Sequence, residues 1–151
     1  MTFGREPFDA PDVLVLVGAQ QEELRGRYDG VGDIGPPRDA AMFEPPDGIF
    51  VVGRLSGHAV ACGGLCRFDE RRAELKRMYV APEARGLGLG RRILEALEGE
   101  ARRLGYVGIV LETGERQHES LGLYASAGYV PIPCYGVYAA RAISRCFEKT
   151  L

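Results

Sequence analysis

A chain of 151 residues with 46% hydrophobic and 26% charged side chains has the composition of one globular domain, not of a disordered segment. Its formal net charge of −2 argues against the basic balance of a sequence-independent nucleic-acid binder. No apolar run approaches the ~20 residues that cross a bilayer, and residues 1–12 lack the layout of a signal peptide, so a cytoplasmic location without membrane contact is expected.

In chain order, residues 2–5 read as a short strand and 9–28 as a helix. Asp9 is placed to cap that helix, Pro11 suits its first turn, and Val13, Val17, Leu24 and Tyr28 follow one face. A long connection, 29–47, follows. It is rich in glycine and proline and carries Asp29, Asp33, Asp39, Glu44 and Asp47 against the single Arg38; only 39–43 could make a helical turn. Three strands over 48–55, 58–68 and 72–80 are joined closely enough to be antiparallel hairpins. An amphipathic helix over 88–104 ends at Gly105, a strand spans 106–112, a helix spans 117–127 and ends at Gly128, and a last strand spans 143–149. The order β-α, β-meander, α-β-α-β predicts a single mixed α/β domain over 1–151. The cysteines, Cys62, Cys66, Cys134 and Cys146, form no C-x-x-C pair and only two histidines accompany them, so no metal is expected. Cys62 and Cys66 read as small buried hydrophobes.

The informative stretch is Arg85-Gly86-Leu87-Gly88-Leu89-Gly90, between a strand and a helix. Glycines at alternate positions let backbone approach a ligand closely, and the N–H groups opening the helix favour an anion, usually phosphate. Arg91 and Arg92 stand in the first turn, where a cation costs about 0.3–1 kcal/mol unless an anion offsets it. With Arg85 they suggest a phosphate cradle; the alternative is a tight turn with solvated arginines. A Walker loop would need Lys and then Ser or Thr after Gly90, and a dinucleotide loop would need glycine in place of Arg91.

The segment ELKRMYVAPEARGLGLGRR, residues 74–92, resembles the core signature of the GNAT superfamily of acyl-CoA-dependent N-acetyltransferases. Arg85, Gly88 and Gly90 fill its Gln/Arg-x-x-Gly-x-Gly/Ala pattern. QHESLGLYASAGY, residues 117–129, is similar to the second signature, with Gln117 where many members carry a cofactor-contacting asparagine. The resemblance implies a mixed, mostly antiparallel sheet splayed between its fourth and fifth strands. It also implies acetyl-CoA as acyl donor, with pyrophosphate on the backbone of Arg85, Gly86, Leu87, Gly88, Leu89, Gly90 and Arg91. The pantetheine arm would lie along Met78, Tyr79 and Val80, and Gln117 and Tyr124 would complete the cofactor contacts.

Acetyl transfer to an amine needs a base for the amine and a proton for the departing thiolate. Glu74, eleven residues before Arg85, matches the glutamate base of the histone-acetylating members; strand alternation puts it on one side with Lys76, Met78 and Val80. A water as base, with Glu74 paired to Lys76 or Arg72, is the alternative. Tyr124 matches the tyrosine that many members use to protonate the sulfur, and a backbone N–H near Met78 would polarise the thioester carbonyl. Tyr129, Tyr135 and Tyr138 fall in an irregular segment and either line an acceptor pocket, pack the interior or make a homodimer contact. The acidic 29–47 connection suggests a cationic acceptor. The expected function is direct transfer of acetyl from acetyl-CoA to a primary amine; a non-catalytic acetyl-CoA sensor is the alternative.

Overall fold

In the computed structural model, which describes residues 1–30 and 40–151, the order is β1 (Thr2–Arg5), α1 (Pro11–Arg27), β2 (Ile49–Leu55), β3 (His58–Arg67), β4 (Arg72–Val80), α2 (Leu89–Arg103), β5 (Gly108–Gly114), α3 (His118–Ser126), β6 (Val130–Ile132) and β7 (Ser144–Thr150). The strands form a seven-stranded sheet in the order β1-β2-β3-β4-β5-β7-β6. Among the described strands only the β4–β5 pairing is parallel. The expected Asp33, Arg38 and Asp39 of the long connection lie outside the described residues; Ala40–Phe43 forms one 3-10 turn.

Local chemistry accounts for most of these elements. Ser56 and Gly57 both have positive φ, the twist a two-residue hairpin needs between β2 and β3. Asp69 closes the next turn by accepting backbone N–H bonds from Arg71 and Arg72. β2 and β3 are buried along most of their length because both sheet faces are covered: Gly63 faces Ile93 and Leu97 of α2, and Gly64 faces Phe43 and Phe50. Helix α2 buries the stripe Leu89, Ile93, Leu94, Leu97 and Ala101. It ends in a Schellman motif, with Tyr106 N–H donating to Ala101 O and Gly105 N–H to Arg102 O. That motif takes Tyr106 and Val107 out of the expected strand, so β5 starts at Gly108.

Two expectations change. The N-cap of α1 is Ala10, without a side-chain bond, so Asp9 does not cap it; Pro11 sits in the first turn as expected. The segment after Tyr129 is not wholly irregular, because Val130–Ile132 pairs with β7 as the edge strand β6. Pro131 is tolerated there because an edge strand has a side that needs no ladder donor.

The β6–β7 loop is also closed by a Cys134–Cys146 disulfide, which the cysteine spacing did not reveal. Cys62 and Cys66 are buried and take no part in the disulfide, and burial pushes the Cys62 thiol up to about 12. The disulfide spans a sequence separation of 12 residues, and closing a loop of this order contributes about 2–3 kcal/mol. Cys134→Ser should therefore lower Tm by roughly 4–10 °C. Thermal unfolding checks this against dithiothreitol-treated wild type, the form a reducing cytosol would hold. Equal Tm for all three would mean the loop is held by its side chains alone.

What positions the site is an opening in the sheet. β4 and β5 pair only from Arg72↔Gly108 to Leu75↔Leu111, although β4 continues to Val80 and β5 to Gly114. Beyond Leu75 the β4 strand stays with β3, while β5 pairs with β7 throughout. The register shows why they part. Lys76 faces Gly64 and Tyr79 faces Cys62, so Arg77 and Met78 together oppose Gly63, with Arg77 at φ 61°. A bulge of this kind bends the strand and sharpens its twist.

Candidate active site

The bulge resets the alternation of β4. Glu74 and Lys76 share a face with Tyr79, whereas Met78 lies beside Gly63 under α2 with Ile93 and Leu97. The expected common side for Glu74, Lys76, Met78 and Val80 is therefore broken at Arg77, because two residues on β4 occupy the space of one on β3.

Two cavities fill the opening. The larger, about 390 Å³, is bounded by the end of β4, the start of α2 and the flanks of α1 and α3. The smaller, about 70 Å³, lies between the separated parts of β4 and β5. Gln20, Leu24, Met78, Gln117, Ser120 and Tyr124 wall both.

The glycine loop opens on the larger cavity. Gly86 and Gly88 have φ of 80° and 75°, and a Cβ at either would meet only open space. Gly88 is the N-cap of α2, with no side-chain cap and no acid in the first turn. The first bond of the helix runs from Arg92 N–H to Gly88 O, so the preceding N–H groups lie ahead of the helix's own acceptors. This backbone fits an anion. Gly90 serves packing instead, since a Cβ there would come within 3.3 Å of Leu123 on α3.

The arginines divide. Arg85 and Arg91 line the cavity, joined by Arg27 of α1. Arg85 is held by Glu23 at 2.9 and 3.0 Å, and Arg91 donates to the Ser126 hydroxyl. Arg92, expected in the same cradle, lies over the Phe3 ring at 4.6 Å and is absent from the cavity wall. The Leu87 side chain is 60% exposed and off the wall, so only its backbone belongs to the loop.

At the β4 edge, Met78, Tyr79 and Val80 line the larger cavity. The Met78 carbonyl accepts from Gln20 Nε2 at 3.2 Å and the Val80 carbonyl from Arg85 Nε at 2.9 Å. Gln117 opens α3, and its Oε1 accepts from Gly114 N–H at 2.9 Å and from the Tyr28 hydroxyl at 3.3 Å. Its oxygen thus braces the β5–α3 turn, and its NH2 is the group available to a ligand. The turn needs glycine: a Cβ at Gly114 would fall 1.8 Å from the Tyr28 hydroxyl.

Tyr124 is 4% exposed and packs against Tyr129 and Phe147. Burial, and then the Glu112 carboxylate, raise its phenol well above the ordinary value near 10, so it stays a proton donor. Glu112 lines the smaller cavity, accepts from the Ser144 hydroxyl at 2.7 Å and lies 4.0 Å from Arg141. Glu74 does not line either cavity; it is buried and accepts a 3.1 Å bond from the Tyr135 hydroxyl. Burial and that carboxylate raise the Tyr135 phenol. Tyr138 accepts from Lys76 Nζ at 2.8 Å, and Tyr129 donates to the buried Glu98, which Lys149 also contacts. Tyr129 and Tyr135 are thus absent from both walls of the opening and bond within the fold.

A model of the Acetyltransferase (GNAT) family matches residues 19–129. The chain belongs to this family. Over 136 residues, 86% of this chain and 87% of the other, it is 39% identical to the IAA acetyltransferase of Azospirillum brasilense. Its structure is similar to that of a Klebsiella pneumoniae protein assigned to the acyl-CoA N-acyltransferases, with a TM-score of 0.83 and 29% identity over 99% of this chain and 97% of that one. It shares its fold with a GNAT acetyltransferase from Elizabethkingia anophelis solved with acetyl-CoA bound, at a TM-score of 0.67 and 17% identity over 99% and 97%. The protein is accordingly an acyl-CoA-dependent N-acetyltransferase.

Within this GNAT fold, Gln20, Glu23, Leu24 and Arg27 of α1, together with Glu112 and Arg141, line the cavities and were not among the residues expected there from sequence. One signal was present. Gln20 follows Val13, Leu16 and Val17 on the buried face, where a polar side chain calls for a partner, and that partner is Met78 O. Among the described residues no cluster of three His, Cys, Asp or Glu side chains could hold a metal, and no helix is long and apolar enough to cross a membrane.

Proposed function

We propose that the protein transfers acetyl from acetyl-CoA to a primary amine by direct attack, with Tyr124 as the acid and Glu112 as the proton acceptor. The observation that carries this reading is that Tyr124 walls both cavities where they meet. The diphosphate of the donor rests on the backbone from Gly86 to the start of α2, near Arg85, Arg91 and Arg27, and its arm runs along Met78, Tyr79 and Val80 past Gln117. The pantetheine amides exchange with the Gln20 and Arg85 side chains at the β4 carbonyls. This places the thioester beside Tyr124 and the amine in the smaller cavity.

A neutral amine attacks the thioester carbon, forming the C–N bond. The C–S bond then breaks, the nitrogen loses one proton to Glu112, and the departing thiolate takes its proton from solvent. The raised pKa of the Tyr124 phenol makes full proton transfer to a thiolate near 8.5 unfavourable. Tyr124 therefore acts chiefly by holding a hydrogen bond to the sulfur as charge develops. Glu112 replaces the sequence expectation of Glu74 because it, and not Glu74, lies on the cavity wall.

The test pairs binding with turnover. Acetyl-CoA at 100 times its Kd should add about 2.7 kcal/mol of stability, a rise of several degrees in Tm, with ATP giving none. Thiol release with an accepted amine should fall roughly tenfold or more in Glu112→Gln and stay within about threefold of wild type in Glu74→Gln. The reverse ranking would return the base to Glu74, and equal shifts with ATP would sink the reading.

A further inference from the structure

We infer that Tyr28 is a positioning residue for the donor: its hydroxyl holds the Gln117 amide so that the amide NH2 donates to a carbonyl oxygen of the pantetheine arm. This rests on the reading of the larger cavity as the acyl-CoA site. Gln117 walls both cavities, so the orientation of its amide decides what a ligand in the opening meets.

A chain of hydrogen bonds fixes that orientation. Gly114 N–H can only donate, so the amide atom 2.9 Å from it is the oxygen. The Tyr28 hydroxyl accepts from Arg116 N–H at 3.2 Å and directs its own proton to the same amide oxygen at 3.3 Å. Gln117 N–H donates to Gly114 O at 3.0 Å, which fixes the backbone that carries the amide. With its oxygen engaged twice, the amide turns its NH2 away from the β5–α3 turn, and an arm rich in amide carbonyls supplies the acceptor for it. Burial holds the Tyr28 phenol above its ordinary value near 10, so the hydroxyl keeps the proton it donates. A glutamine has one more rotatable bond than the asparagine that many family members carry here. Two bonds to its oxygen select one arrangement before the donor arrives, which lowers the ordering cost of binding.

The hydroxyl is not what joins α1 to the β5–α3 turn. Arg116 makes that joint, donating from its guanidinium to Arg27 O at 2.6 Å and to Asp29 at 3.3 Å. Asp29, one of the acids expected to draw a cationic acceptor, is engaged in this joint instead. The Tyr28 ring is buried against Gly114, whose missing Cβ leaves room for it. Tyr28→Phe therefore keeps the ring and the joint, and removes only the bond to Gln117 and the acceptor for Arg116 N–H.

The test is calorimetric titration of acetyl-CoA into wild type, Tyr28→Phe, Gln117→Ala and the double variant, with Tm recorded for each without ligand. A hydrogen bond between neutral groups is worth about two- to tenfold in affinity, so Gln117→Ala should raise Kd by about tenfold and Tyr28→Phe by about threefold. The double variant should bind no more weakly than Gln117→Ala, because without the amide the hydroxyl has nothing to orient. Loss of the hydroxyl alone should lower Tm by only a few degrees. Effects that multiply to about thirtyfold in the double variant would make Tyr28 act independently of Gln117 and overturn the inference. An unchanged Kd in either single variant would overturn it too, and in both cases acetyl transfer would stand. No binding of acetyl-CoA by wild type would overturn the reading of the larger cavity as well.

Discussion

Tyr124→Phe is expected to lower kcat about a hundredfold while leaving the affinity for acetyl-CoA within about twofold. Removing a positioned acid costs 10²–10⁴ in rate, and the lower end applies because this tyrosine donates a hydrogen bond more than a free proton. Affinity should persist because the phenyl ring keeps its contacts with Tyr129 and Phe147. Thiol release and calorimetric titration of acetyl-CoA separate the two quantities. The pH profile adds a second check. Tyr124 is a neutral acid whose pKa is raised in the folded chain, so it remains protonated below its ordinary value near 10 and ionises only above that. Wild-type kcat/KM should rise with pH as the acceptor amine loses its proton, with no falling limb from Tyr124 below about pH 10. A hundredfold loss of affinity with kcat retained would make Tyr124 a packing residue and remove it from the chemistry.

Gly88→Val should weaken acetyl-CoA binding by about a hundredfold. Gly88 holds φ 75°, and a β-branched residue there is strained by roughly 1–3 kcal/mol. Its side chain would also enter the open space at the helix start, where the diphosphate must approach the backbone. Thermal unfolding should show a loss of a few degrees without ligand and little stabilisation by acetyl-CoA. Gly99 supplies the control on the same helix. It lies in the interior of α2 with nothing near its Cβ position, so Gly99→Ala should stabilise the protein by up to about 1 kcal/mol and leave binding intact. Unchanged affinity in Gly88→Val would mean the loop is only a turn.

The two kinds of residue in these predictions were unequally legible. The loop from Arg85 to Gly90 is a local device: glycine spacing, a helix start and positive φ are all set by neighbours in sequence, so its suitability for an anion could be read directly. Tyr124 was legible through its resemblance to a family pattern and not from its spacing, which suits a core aromatic equally well. Glu112 was not legible at all. Within the apolar strand Gly108–Gly114 it looks like an ordinary strand carboxylate, and only the parting of β4 from β5 beyond Leu111 brings it to a cavity. Glu74 shows the converse. Its position in sequence matched a family base, yet Tyr135, 61 residues away, claims its carboxylate.

The sequence by itself determined the helices, every strand but β6, their order and a glycine loop suited to an anion. These follow from short-range rules: hydrophobic period, hairpin residues, helix stops and glycine φ. The tertiary structure decided where the sheet opens, which arginines line the larger cavity and which carboxylate lines the smaller one. It also decided that Cys134 meets Cys146. All of these depend on the bulge at Arg77 and on pairings between segments distant in the chain. One extra residue in β4 turns Met78 away from the face of Glu74 and Lys76, and no pattern of residue types in a single strand reports the register of its partner.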